Sequence, residues 1–447
     1  MERTNVCGTL TKMRIGRSAR SPLERLSWRR FSRRRRGPAR SSSAPGAGSM
    51  RPVEAADDGR EPMRRSGMAG YRADHVGSFL RPPELLDARV AHAEGRIGDA
   101  ELRAAEDRAI LTILELQRQI GVDVYSDGEY RRGMWITGLP AAVEGFGPGA
   151  MLNIRNWRGR PLPYVPGQTG ARHAAAVGQN PAAVITGKLT PTRRITGVES
   201  AFLRRHAPGP YKITIPSPTW YLRGYIRGTS DRVYPTPADA LRDLTDIVHR
   251  EVEALVEEGV PYVQIDSIRY VFDYTDEERR REWQGLGIDP DRAIDDNVAA
   301  YNAVVAEVAR EGVTFGLHMC RGNNRSRWFA EGGYDRIAEK VFGHLAYDRF
   351  LLEYDSERAG GFPPLRHVPR GKTVVLGLIS TKVARLESQE DLLRRIDEAA
   401  RHVPLASLAL GPQCGFASVA AGNEISWDDQ RRKLDLLVET ARKVWGG

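Results

Sequence analysis

From about residue 71 the chain alternates short apolar runs with longer stretches whose apolar residues recur at helical spacing. The runs are DHVGSF (74–79), VDVYSD (122–127), YKITIPSP (211–218), YVQIDS (262–267), TFGLHMC (314–320), RFLLEYD (349–355), TVVLGLIS (373–380) and LALGPQCG (408–415). Most are rich in β-branched and aromatic residues and end in Gly, Ser, Asp or Pro, which predicts strands buried on both faces of a parallel sheet. Between them, 99–121 and 238–259 read as amphipathic helices, each stopped by a glycine, Gly121 and Gly259. Further helices are expected over 291–311, 328–342, 387–402 and 428–445. Eight strands alternating with helices point to an α/β chain folded as a (β/α)8 TIM barrel, although an open doubly wound sheet produces the same alternation. Residues 136–205 break the rhythm with many Gly, Pro and Arg and are expected to form an insertion at the barrel mouth.

The formal charge of +10 is concentrated in one place. Residues 1–66 hold 17 Lys/Arg and 6 Asp/Glu, so the rest of the chain is close to neutral and offers no nucleic-acid surface. The segment RRFSRRRRGPARSSSAPGAGS has no hydrophobic period and reads as disordered. A polyanion-binding arm, an organelle transit peptide and a non-functional extension ahead of a start at Met50, Met63 or Met68 compete to explain it. The last is the expectation. Residues 1–67 are therefore set apart as a basic extension, with 68–447 as a single domain that carries the insertion. No apolar run is long enough for a membrane span. Three cysteines in 447 residues make no disulfide framework and suggest a cytoplasmic, reducing setting.

Chemistry gathers at the ends of the expected strands. There stand His75 and Ser78, Asp127 and Glu129, Asp266, His318 and Cys320, Glu353 and Asp355, Lys382, and Cys414. In a barrel this is where catalysis sits. On a strand, residues two apart face the same side, so His318 and Cys320 project together. Imidazole and thiolate form a favourable pair for zinc, and Cys414 and Glu353, also at strand ends, could complete the set. Two other readings stay open. A buried cysteine is often only a small hydrophobe, and Cys320 could be a nucleophile served by His318.

The stretches YRADHVGSFLRPPELL, GVDVYSDGEYRRG, YVQID, HMC, FLLEYDS, VVLGLISTK and LALGPQCGF together resemble the C-terminal catalytic domain of cobalamin-independent methionine synthase and its short single-domain relatives. The resemblance implies a barrel enzyme, a methyltransferase, with Zn2+ held by His318, Cys320, Glu353 and Cys414. It also implies that His75, Gly77 and Ser78 help to hold the thiol substrate, Gly77 and Ser78 at its carboxylate, while Glu129 and Asp266 hold its amino group. Asp266 and Lys382 are the candidate catalytic side chains. The sequence carries no duplicated N-terminal half. It reads SIRY after Asp266, where the long enzymes have an acidic residue and a proline. Lys382 stands about where they carry a histidine that assists the leaving pterin nitrogen.

Three functions follow. The first is methyl transfer to homocysteine, giving methionine, from a methylfolate or a methylcorrinoid protein. The second is a related thiol alkyl transfer such as epoxide:coenzyme M chemistry, in which RGNNRSR after Cys320 would face a sulfonate. The third is a non-enzymatic zinc protein or a partner of a corrinoid protein. If the basic segment plays no part, a chain beginning at Met68 will melt at the same temperature as the full chain in a thermal denaturation experiment. A clear drop in that temperature would give the segment a structural role.

Overall fold

The computed structural model of the protein describes residues 70–149, 157–159, 184–285 and 289–446. The basic extension expected over 1–67 lies outside these residues. Two antiparallel strands, β1 (Val143–Gly147) and β2 (Val184–Pro191), form a small separate sheet. Six parallel strands follow in chain order: β3 (Lys212–Pro216), β4 (Tyr262–Ser267), β5 (Thr314–Met319), β6 (Arg349–Glu353), β7 (Thr373–Ile379) and β8 (Leu408–Pro412).

Two short extended segments close the sheet into a barrel. Asp74 N–H donates to Leu410 O at 3.0 Å, joining the first segment to β8. Asp123 N–H donates to Ala73 O at 3.2 Å, and Lys212 N–H to Tyr125 O at 2.8 Å, so the second segment bridges the first to β3. His75 strengthens the closure: its Nε2 lies 2.8 Å from Val124 O. These two positions, expected as full strands, pair only through isolated bridges, Ala73 with Leu410, Ser78 with Gly128 and Tyr125 with Tyr211.

Helices cover the outside. Pro237–Glu257 starts from a reciprocal cap in which Thr236 accepts from Asp239 N–H while Asp239 accepts from Thr236, with Pro237 at the first helical position. Asp99–Ile120 ends at Gly121, whose φ of 83° suits a residue without Cβ. The helix expected from 328 begins only at Asp335, because a turn containing Gly332 at φ 118° occupies the preceding residues. The helix expected to reach 311 ends at Val304. Among the described residues no helix is long and apolar enough to cross a membrane.

The described parts of 136–205 contain the helix Gly138–Ala142, β1, β2 and the helix Gly197–His206. They pack on the loop that follows β3: Tyr221 Oη donates to Ile136 O at 2.7 Å, and Ser230 Oγ to Ile185 O at 2.6 Å.

Alternation along the strands sends every second side chain inward. At the N-terminal end these are charged. Lys212 Nζ donates to Asp74 Oδ1 at 2.6 Å and to Gln264 Oε1 at 3.0 Å, and Arg349 Nη2 lies 3.3 Å from Asp74 Oδ2. Burial works against the Asp74 charge, but Lys212 and Arg349 outweigh it and keep the carboxyl below its ordinary pKa. Above them the register partners Leu351, Val375 and Ala409 join Val76 in an apolar layer. The C-terminal ends of the strands lie beyond. Lys212→Met should cost about 3–5 kcal/mol in urea denaturation, because it leaves Asp74 buried and half-paired. A loss below about 1 kcal/mol, the scale of an exposed pair, would show that the layer is not held by this bridge.

Candidate metal centre

The strand register sets the site. Asp266 at the end of β4 and His318 on β5 are direct partners across two parallel strands. Their side chains meet, His318 Nδ1 lying 3.2 Å from Asp266 Oδ1. That contact orients the ring and leaves Nε2, which is buried, without a hydrogen-bond partner of good geometry. Cys320 follows two residues later on the same face, and Cys414 comes just after β8. Ligand atoms of His318, Cys320 and Cys414 all lie within 4.8 Å of one another, and all three residues are buried. The two sulfurs are 3.6 Å apart.

Electrostatics bind the three together. Burial opposes charge on His318, yet Asp266 and Cys414 outweigh it and push its pKa up to about 10. The hydrogen bond with Cys320 holds the Cys414 thiol well below its ordinary range, and the His318 charge adds to that effect. The same bond pushes Cys320 well above its ordinary range. Two cysteine sulfurs and one histidine ring with a carboxylate behind it are a ligand set that suits a borderline-soft divalent cation.

Glu353, grouped with these three on sequence, is not in this cluster. Its Oε2 accepts the Arg321 backbone N–H at 2.6 Å, and its Oε1 lies 3.5 Å from Arg358. Burial raises the cost of its charge, but Lys382, Arg321 and Arg358 together keep the carboxyl below its ordinary pKa. Lys382 itself is buried, and its Nζ has no hydrogen-bond partner. It acts electrostatically on Glu353, Cys320 and Cys414.

The candidate substrate residues stand on the closing segments. Gly77 has a φ of 125°, and a Cβ there would come within 2.8 Å of Thr214 Cγ2, so only glycine fits. Ser78 packs its hydroxyl against Gly415, beside Cys414, where a Cβ would approach to 1.9 Å. Glu129 holds a positive φ of 60°. Its Oε1 accepts from Thr214 Oγ1 at 2.9 Å, while Oε2 is buried without a partner. Burial raises the Glu129 pKa, and the nearby Asp266 charge raises it further against Arg132. His75 is placed differently: it is 1 % exposed, and the strand closure uses its Nε2.

Sequence reasoning missed the supporting residues. Arg132 donates to Thr214, which in turn holds Glu129, and the spacing of Arg132 three residues after Glu129 in GEYRRG was the available signal. Ser418, with its Oγ 3.9 Å from Cys414 Sγ, had no signal in the pattern. Arg321, expected to face an anion, is fully buried and donates to Gly332, Glu353 and Ala359 carbonyls.

Known proteins resemble this chain over most of its length. Residues 72–165 match the family described as cobalamin-independent synthase, catalytic domain. Over 383 residues the chain is 36 % identical to the uncharacterized protein YxjH of Bacillus subtilis, covering 84 % of this chain and 95 % of YxjH. The chain belongs to the cobalamin-independent methionine synthase family. A methionine synthase of Saccharolobus islandicus is 23 % identical over 76 % of this chain and 86 % of its own length. A crystal structure of a candidate vitamin-B12-independent methionine synthase from Listeria monocytogenes superposes with a TM-score of 0.65 and 27 % identity, covering 86 % of this chain and all of that one. The fold is therefore the TIM barrel of this family, and the protein is an enzyme of the methyltransferase class.

Two substitutions separate direct from indirect roles at the centre. Cys414→Ser should abolish most divalent-metal retention after dialysis, measured by elemental analysis, with the circular dichroism spectrum unchanged. Asp266→Ala should weaken metal affinity by about 10- to 100-fold, since it frees the His318 ring. Full metal retention in both variants would mean that these side chains do not form the centre.

Proposed function

We propose that the protein is a zinc-dependent S-methyltransferase that passes a methyl group to the thiol of homocysteine and so makes methionine. The donor is a 5-methyltetrahydrofolate-type compound or a methylcorrinoid protein. Residues 68–447 are the catalytic domain, and the segment before them takes no part. The observation that carries this reading is the convergence of His318, Cys320 and Cys414 beside two buried carboxylates, Glu129 and Asp266, one of them with an unpartnered oxygen.

His318, Cys320 and Cys414 would hold zinc, with Glu353 on the neighbouring strand as the candidate fourth protein ligand. When bound, zinc lowers the pKa of a thiol from about 8.5, so that it is ionised at neutral pH. The protein's own groups do the rest. Asp266 fixes the His318 ring through Nδ1. Glu129 and Asp266 receive the ammonium of the amino-acid thiol, which their mutual repulsion favours. Gly77 and Ser78 receive its carboxylate. The sulfur forms a bond to the methyl carbon as the carbon–nitrogen or carbon–cobalt bond breaks, and the thiol proton leaves to solvent. A departing pterin nitrogen needs a proton, and Lys382 Nζ, buried and unpartnered at the mouth, is placed to hold one.

A sulfonate-bearing thiol fits less well. Arg321 is committed to backbone carbonyls, and the two carboxylates would repel the sulfonate. The test incubates zinc-loaded full chain with homocysteine and either 5-methyltetrahydrofolate or methylcobalamin, and follows methionine by mass spectrometry. Methionine over many turnovers with one donor is expected, and Glu129→Gln should raise the homocysteine KM by about tenfold or more. No methionine from either donor, with the metal confirmed in place, would sink the proposal.

A further inference from the structure

A cavity of about 410 Å3 opens beside the 131–133 loop, and five arginines line it: Arg89, Arg103, Arg131, Arg132 and Arg193. Only two carboxylates share the lining, Glu106 and Glu199. Glu106 serves two of the arginines, with Arg89 at 2.9 Å and Arg131 at 3.4 Å; Arg131 also pairs with Asp107 at 2.5 Å, Arg89 also donates to Tyr130 O, and Glu199 lies 3.5 Å from Arg132 Nε. The guanidinium-bearing side chains of Arg89 and Arg131 are only 11 % and 9 % exposed. Their Nε groups are buried without hydrogen-bond partners. Arg103 and Arg193 stand exposed at the rim.

Unpartnered buried donors on cations are costly, and the cost is recovered when an anion accepts from them. The guanidinium fork matches the paired oxygens of a carboxylate or phosphate. Burial raises the pKa of both Glu106 and Glu199 against the pull of the neighbouring arginines. The wall is shared with the substrate pocket. Arg132 donates to Thr214 Oγ1 at 3.0 Å and to Thr214 O at 2.8 Å, and Thr214 Oγ1 donates to Glu129 Oε1 at 2.9 Å.

We propose that this cavity is a binding site for a small multivalent oxyanion, a phosphate or polycarboxylate, held by Arg89, Arg131, Arg103 and Arg193. The ligand is a free anion of this class. The binding step is independent of the methyl-transfer reading, so failure of one leaves the other standing.

The test titrates the full chain calorimetrically with inorganic phosphate and with citrate, at ionic strength held constant with sodium chloride. Saturable binding is expected. It should weaken about tenfold or more in the Arg103→Gln/Arg193→Gln double variant, whose exposed positions leave the melting temperature unchanged. No saturable binding of either probe, or equal binding by the double variant, overturns the proposal.

Discussion

A closed barrel forces every second residue of every strand into one narrow interior, and the rest of this molecule is arranged around that constraint. The interior has three levels. Charged groups at the N-terminal end, Asp74, Lys212 and Arg349, satisfy one another. Val76, Leu351, Val375 and Ala409 form an apolar level. Asp266, His318 and Glu353 continue the same inward alternation at the C-terminal end, with Cys320 and Cys414 just past it. One β6 face shows the sequence of levels directly, as Arg349, Leu351 and Glu353.

Buried charge at the mouth is tolerated because each group has a counterpart. The His318 imidazole lies between Asp266 and Cys414, and Glu353 is answered by Arg321, Arg358 and Lys382. Glu129 Oε2 and Lys382 Nζ nonetheless have no hydrogen-bond partner. Polar atoms left unsatisfied in a buried site are expensive in a resting protein and useful in one that takes up a charged ligand. Gly377 shows how tightly the frame is drawn between them: a Cβ there would meet Leu352 O at 2.5 Å and Gln413 Cα at 2.7 Å.

The segment after the second closing position adds surface to this mouth. Trp135 N–H donates to Ser418 O at 3.0 Å, and the Trp135 ring lies 5.1 Å from that of Trp220. Further along, Trp157 packs on Phe329, and Arg158 pairs with Asp276 at 2.7 Å while its backbone bridges to Trp328. The loops after β4, β5 and β8 are thus tied to residues that are distant in the chain. These contacts fix loops whose side chains include Asn323 and Thr381, both of which donate to Gly415 O beside Cys414.

Much of this was written into local pattern. YVQIDS and β4 coincide at Tyr262–Ser267, and the amphipathic period of 99–121 became Asp99–Ile120, because periods of two and of about 3.6 residues are local properties that burial converts directly into strand and helix. The two-residue spacing of His318 and Cys320 likewise put them on one face. Other features came only from distant partners. The closing strands shrank to isolated bridges, His75 became a strand tie through Val124, and the Arg321 amide took the Glu353 oxygen. Arg321 itself turned from a candidate partner for a sulfonate into a buried donor to three carbonyls. Such outcomes depend on which polar groups the packed barrel brings within hydrogen-bond reach across 30 to 50 residues of chain, and no local period encodes that. The sequence by itself determined the order of the elements and the kinds of side chain at their ends. Tertiary packing decided which of those side chains meet, because the contacts run between strands and not along them.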